Sequence, residues 1–179
     1  MSNYEMTATV PAALGDLPSH RLVNVLGFIA CASMLGFGIF YLQQYLGLEP
    51  CPLCILQRVA IAATGSVFLL AAIHNPRNWG RRVYALLLAL TIGSGVALSS
   101  RHVWLQYFLP ANAQLDCGMA LSYMLEVLSP WETLRLVLKG SGDCSRIDWS
   151  FLYLSIPAWT LVYFILLGIV GITRNWRRD

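Results

Sequence analysis

Four long apolar runs govern what this chain can become. They cover residues 22–46, 51–73, 83–104 and 151–172. An α-helix rises 1.5 Å per residue, so about 20 residues cross the hydrocarbon core of a bilayer. Each run meets that length. Of the 179 residues, 57% are apolar and only 12% are charged, about half the charge of an ordinary soluble domain. A soluble four-helix bundle would need a polar face on every helix, and these runs offer none. The expected fold is therefore an all-α membrane protein: a four-helix transmembrane bundle over 22–172, with helices at 22–46, 52–73, 83–104 and 151–172. A long loop, 105–150, joins the last two, and polar tails at 1–21 and 173–179 flank the bundle. Residues 1–20 lack a basic start followed by an apolar core, so the first helix itself is expected to drive insertion.

The basic residues orient the bundle. Arg21 precedes the first run, Arg77, Arg81 and Arg82 lie between the second and third, and Arg174, Arg177 and Arg178 follow the fourth. With four crossings these regions share one side. The other side holds the short Glu49 turn and the long loop, where Asp116, Glu126, Glu132, Asp143 and Asp148 outnumber Arg135, Lys139 and Arg146. The positive-inside rule puts both termini in the cytoplasm and the long loop outside. No basic run is interleaved with aromatics, so nucleic acid is not an expected partner.

Four of the five cysteines fall on the outer side. Cys51 and Cys54 open the second helix, Cys117 and Cys144 lie in the long loop, and Cys31 sits inside the first run as a packing residue. Disulfide chemistry belongs to an oxidising compartment, which agrees with a topology read from different residues. In the segment Pro50-Cys51-Pro52-Leu53-Cys54, Pro52 suits the first helical position. Cys51 is then the N-cap and Cys54 falls in the first turn, where free N–H groups and the positive helix end favour a thiolate. Two thiols at this spacing can close a disulfide, and a thiolate there is both nucleophile and leaving group. Arg58, four residues past Cys54, lies on the same face one turn deeper. A guanidinium there is costly in lipid and expected to serve a ligand, such as the oxygen of a quinone. A zinc site is not expected: no second Cys-x-x-Cys is present, and His74 and His102 are not placed as companions in the sequence.

In the loop, Ser129-Pro130-Trp131-Glu132 reads as a capping box, and Gly140 as the stop of a short helix. Trp131, Leu134 and Leu138 would share a face suited to the membrane surface, leaving Ser141-Gly142-Asp143-Cys144 mobile beyond it. Cys117–Cys144 is either a structural staple or a second redox pair; the glycine-rich approach to Cys144 favours the second. Spacing does not fix the resting pairing. Arg101-His102 closes the third helix, at a depth like that of Arg58, where His102 would line a quinone pocket. In the same helix, Gly93, Ser94, Gly95 and Ala97 would admit a close neighbour.

Taken together, Cys51-Pro52-Leu53-Cys54 with Arg58, Arg101-His102, Cys117 and Gly142-Asp143-Cys144 resemble DsbB, the family of quinone-dependent disulfide oxidases of the bacterial inner membrane. The likeness covers nearly the whole membrane portion. It implies a thiol–disulfide oxidoreductase. Cys117 would be attacked by a DsbA-like periplasmic thiol oxidase, Cys144 would pass electrons on by attacking Cys51, and Cys54 would face the quinone, ubiquinone or menaquinone. Arg58 and His102 would hold that quinone, drawn from the membrane pool. Cys31 and the N-terminal tail have no part in the family pattern. Vitamin K epoxide reductases also set Cys-x-x-Cys in a four-helix bundle, but their loop cysteines precede the redox motif, whereas Cys117 and Cys144 follow it. A non-catalytic membrane assembly subunit is the remaining alternative; it would leave Cys51–Cys54 inert.

Overall fold

Ser19 starts the first helix by accepting a hydrogen bond from the Leu22 amide at 3.3 Å, the usual service of an N-cap hydroxyl. The computed structural model describes residues 19–108, 121–140, 142–145, 147 and 149–176. Residues 1–18, Cys117, Ser141, Arg177 and Arg178 lie outside the described residues. So does most of the stretch between the third helix and Leu121.

Helix α1 (His20–Gly36) continues without a break into a π-helical segment, Phe37–Tyr45. Helix α2 is Pro52–His74, α3 is Trp79–Tyr107 and α7 is Ile156–Trp176. These four are long and apolar enough to cross a membrane. Between α3 and α7 come three short helices, α4 (Leu121–Val127), α5 (Pro130–Lys139) and α6 (Gly142–Ser145), then strands β1 (Ser150–Phe151) and β2 (Leu154–Ser155). Helix α1 packs on α2, α2 on α3 and α3 on α7. The fold is an all-α membrane bundle, as the runs required.

The bundle closes on a core of Cys31, Ile61, Phe68, Leu88, Ile92 and Phe164. Two aromatic rings need glycine opposite them. A Cβ on Gly27 would stand 2.8 Å from Phe68, and one on Gly95 would run into Phe164. Of the small residues expected to admit a neighbour in α3, Gly95 does so; Gly93 has nothing near its Cα to exclude.

Several boundaries differ from those read in the sequence. The first helix begins at His20 rather than 22, so His20 and Arg21 belong to it and not to the tail. Helix α3 begins at Trp79 rather than 83. Nothing after Pro76 breaks a helix, so Arg81 and Arg82 are helical. Arg81 is buried and donates to the Arg174 carbonyl at 3.0 Å, a cation at the carbonyl end of α7. The fourth helix begins at Ile156 rather than 151. Pro157 cannot donate to the ladder and would clash with a preceding helical turn, so it sits in the first turn. The five residues before Ile156 form most of an antiparallel hairpin pairing Ser150 with Ser155 and Phe151 with Leu154.

Candidate functional site

Cys51 caps α2 with extended backbone (φ −63°, ψ 161°), and Pro52 opens the helix. This placement follows from local chemistry alone, since proline is preset for a first helical turn. It brings Cys54 into that turn beside Cys51, at the positive end of the helix. Cys51 and Cys54 are free thiols here.

The loop folds over this end of the bundle. In α5, Ser129 Oγ accepts from the Glu132 amide at 3.3 Å, while Glu132 Oε2 accepts from the Ser129 amide at 3.2 Å. The expected capping box is present, and hydrogen bonds from Ser129 hold the Glu132 carboxyl below its ordinary range. The face that packs inward carries Thr133 and Val137. Trp131, Leu134 and Leu138, expected together on one face, are exposed. The C-terminal carbonyls of α5 are capped from α3: Arg101 donates to the carbonyls of Leu138 (2.9 Å) and Lys139 (3.2 Å). Its guanidinium also lies 4.5 Å from the Trp104 ring centroid. Gly140 then turns at φ +93° against Leu105.

This path delivers Cys144, in α6, to the interior rather than to a mobile tip. Cys144 is 1% exposed and shares a cluster with Leu53, Leu105, Met124 and Val137, against which Cys51 also packs. Burial beneath α5 corrects the expectation of mobility at this residue. Cys117 lies outside the described residues.

His102 lies among these sulfurs. Its Nε2 is 3.8 Å from Cys51 Sγ and 3.1 Å from the Cys144 carbonyl, and its Nδ1 is 3.4 Å from Gln57 Nε2. Ligand atoms of Cys51, Cys54 and His102 all fall within 4.8 Å of one another. The sequence sets His102 in a pocket with Arg58 but not as a ligand beside the thiols; the packing of α3 on α2 makes it their neighbour. Two thiols and an imidazole are zinc-type donors, but once the thiols join in a disulfide they no longer ligate as thiolates.

Arg58 is held by the π-helical segment. It donates to Gln43 Oε1 at 2.6 Å and to the Gly38 carbonyl at 2.9 Å. In this segment the ladder lengthens, as where Leu46 N–H reaches Tyr41 O at 3.0 Å. A wider ring shifts carbonyls out of α-helical register, and the carbonyl of Gly38 meets a guanidinium.

These groups border one cavity of about 1130 Å³, lined by Cys51, Cys54, Gln57, Arg58 and His102 and walled by apolar side chains such as Met34, Leu42, Ile61 and Leu166. Aromatic rings continue along its edge, with Phe37 against Trp149 (6.4 Å), Trp149 against Phe151 (6.2 Å) and Phe151 against Trp159 (6.2 Å).

Comparison with known proteins decides the family. The profile described as "Disulfide bond formation protein DsbB" matches residues 20–173. The chain belongs to the DsbB family. A relative from Nitrosococcus oceani, named Disulfide bond formation protein B, is 51% identical over 89% of this chain and 93% of its own. One of the same name from Marinobacter nauticus is 49% identical over 89% of this chain and 94% of its own. Another, from Xanthomonas euvesicatoria, is 48% identical over 84% and 87%. Membership makes this a multi-pass membrane protein of disulfide-bond formation, and it removes the vitamin K epoxide reductase and assembly-subunit readings.

Within that family frame, sequence reasoning picked Cys51, Cys54, Cys144, Arg58 and His102, and the fold collects them all at one end of the bundle. It passed over Gln57 and Gln43, which hold His102 and Arg58. One signal for Gln57 was present: an amide inside an apolar run, next to an arginine, is a polar group that lipid will not satisfy.

Proposed function

We propose that this protein reoxidises a DsbA-like periplasmic disulfide donor and passes the electrons through Cys117–Cys144 and Cys51–Cys54 to a membrane quinone. The observation that carries this reading is the site itself. A buried loop cysteine, a helix-capping dithiol and an arginine border or adjoin a single apolar cavity at the end of a membrane bundle. The topology proposed with it places both termini in the cytoplasm and the loop in the periplasm, in the bacterial inner membrane.

The residues present fit a quinone. The cavity is mostly apolar and is large enough for a substituted ring with part of its tail. Arg58 supplies charge and hydrogen-bond donors on its lining. A bound quinone accepts two electrons and two protons. The chain's own part is to bring the sulfurs together and to hold charge. The thiolate of Cys144, released when a partner attacks Cys117, attacks Cys51 Sγ. The Cys51–Cys54 bond breaks and its electron pair leaves on Cys54, in the first turn of α2, where the helix end stabilises it. Arg58, kept in place by Gly38 and Gln43, holds a cation on the same cavity.

The test is direct. Purified protein is mixed with reduced DsbA-type partner and a short-chain ubiquinone, and quinone absorbance is followed. The wild type should turn over, and Cys54→Ala should fall to background. Full activity in Cys54→Ala, or no quinone reduction by the wild type, would overturn the proposal.

A further inference from the structure

Gln57 has no part in the electron route as set out above. Yet it is 3% exposed, and its partner His102 is 2% exposed. Directionality fixes the hydrogens between them. A carbonyl only accepts, so the 3.1 Å contact to Cys144 O requires hydrogen on His102 Nε2. A neutral imidazole then has Nδ1 as its acceptor, and the Gln57 amide at 3.4 Å is the donor that fills it. The same Nε2–H faces Cys51 Sγ at 3.8 Å. One imidazole N–H is thus shared between the backbone of the loop cysteine and the sulfur of the helix cysteine. Gln57 selects the tautomer that makes this possible.

We infer that Gln57 is a positioning residue for thiol–disulfide exchange between Cys144 and Cys51, acting through the tautomer of His102. The inference rests on the electron route proposed above. In the exchange, the Cys144 thiolate attacks Cys51 Sγ, a Cys144–Cys51 bond forms, the Cys51–Cys54 bond breaks, and the electron pair departs on Cys54. When another thiolate later cleaves Cys144–Cys51 at Cys144, the pair departs on Cys51. The Nε2–H is placed to receive that negative sulfur, and thiolate leaving groups set the rate of such exchanges. The assigned role is to hold both sulfurs in one register and to favour Cys51 as a leaving group. It does not include quinone binding.

The titratable groups facing His102 among the described residues are Cys51 and Cys54 from α2 and Cys144 from α6, with Arg58 lining the same cavity. Loss of protons from the thiols speeds exchange as pH rises. Where the Gln57 donor is replaced by an acceptor, the Nε2 proton is lost from the neutral ring and exchange slows, so that variant and the wild type have opposite slopes.

The experiment uses the full-length protein in detergent, wild type beside Gln57→Met and Gln57→Glu. Each is mixed with reduced DsbA-type partner and a short-chain ubiquinone, quenched with acid, and alkylated. The Cys51–Cys144 disulfide is then mapped against time across roughly pH 5 to 8. Gln57→Met keeps the volume and loses the donor; formation of the mixed pair should slow about tenfold, the scale of one buried hydrogen bond. Its quinone KM should stay within about twofold of wild type. In Gln57→Glu the carboxylate only accepts, so a neutral ring carries its hydrogen on Nδ1 and loses it from Nε2. Only the imidazolium keeps both. This variant should therefore approach wild type at the acid end and fall behind as pH rises, where the wild type gains. Wild-type exchange in Gln57→Met overturns the inference, as does a loss confined to quinone KM. So does a Gln57→Glu profile parallel to wild type. Should Gln57→Glu not fold, Gln57→Met decides by rate and KM. A wild type that forms no mixed pair at all would instead remove the electron route, and this role with it.

Discussion

Two polar clusters are buried at opposite ends of this bundle, and they are built in opposite ways. At one end Asn24 of α1 and Asn175 of α7, both fully buried, donate to each other at 3.2 Å and 2.8 Å. Asn175 also donates to the Gly171 carbonyl at 2.8 Å. Each amide finds its partner in another protein group. At the other end Gln57, His102 and Arg58 are also hydrogen-bonded, but their partners belong to moving chemistry or irregular backbone: a cysteine carbonyl, a thiol and a π-helical carbonyl. This cluster lines the cavity described above, and neither asparagine is part of that lining. Burial of polar groups alone therefore does not mark a site. What separates the two ends is whether the network closes on itself or leaves a face toward space that a second molecule can fill.

That contrast can be broken by mutation. The largest expected effect is at the open end. Arg58→Ala should raise the apparent quinone KM about ten- to a hundredfold, the scale of losing a charged hydrogen-bond donor, while the KM for the soluble partner holds. Steady-state kinetics with each substrate varied in turn checks it; an unchanged quinone KM would deny Arg58 its role. A smaller effect is expected at the closed end. Asn24→Leu should lower stability by about 1 kcal/mol, the range of interhelical hydrogen bonds in membranes, with turnover per folded molecule unchanged. Thermal unfolding in detergent and activity on the same sample would show both. Loss of turnover without loss of stability would mean that the two ends are coupled. The smallest effect sharpens the picture of the open end. Hydrogen bonds from Ser129 keep the Glu132 carboxyl below its ordinary range. The capping box therefore holds above that range and is lost as pH falls through the lowered value. Amide exchange in α5 should quicken there in the wild type, and Glu132→Gln should flatten that response.

Much of the architecture was legible because it depends on near neighbours in sequence. Four apolar runs, proline after Cys51, and Ser129 three residues before Glu132 each state a local rule, and the helices obey it. From Phe151 onward the hairpin reads as the start of the fourth helix, because apolar residues look alike in either form. Pro157 held the missing clue. The partners of Arg58 and His102 were not legible. Gln43 and Gly38 meet Arg58 only because α1 packs on α2 and widens there, and Gln57 meets His102 across 45 positions of chain. No spacing rule spans such distances. The lone amides, Asn24, Gln57 and Asn175, were nonetheless visible as polar residues within or just beyond apolar runs, and each proved to have a partner from a distant part of the chain.

The lengthened ladder at Phe37–Tyr45 also bears on how this protein can change in length. Deleting one residue there would let the segment settle into ordinary α pitch, and the side chains within it would change the direction they face. Gln43 would swing off Arg58, and the column of Phe37, Tyr41 and Tyr45, now stacked at 5.1 Å and 5.7 Å, would come apart. The extra girth of a few turns thus makes this stretch intolerant of insertions and deletions that a polar turn would absorb.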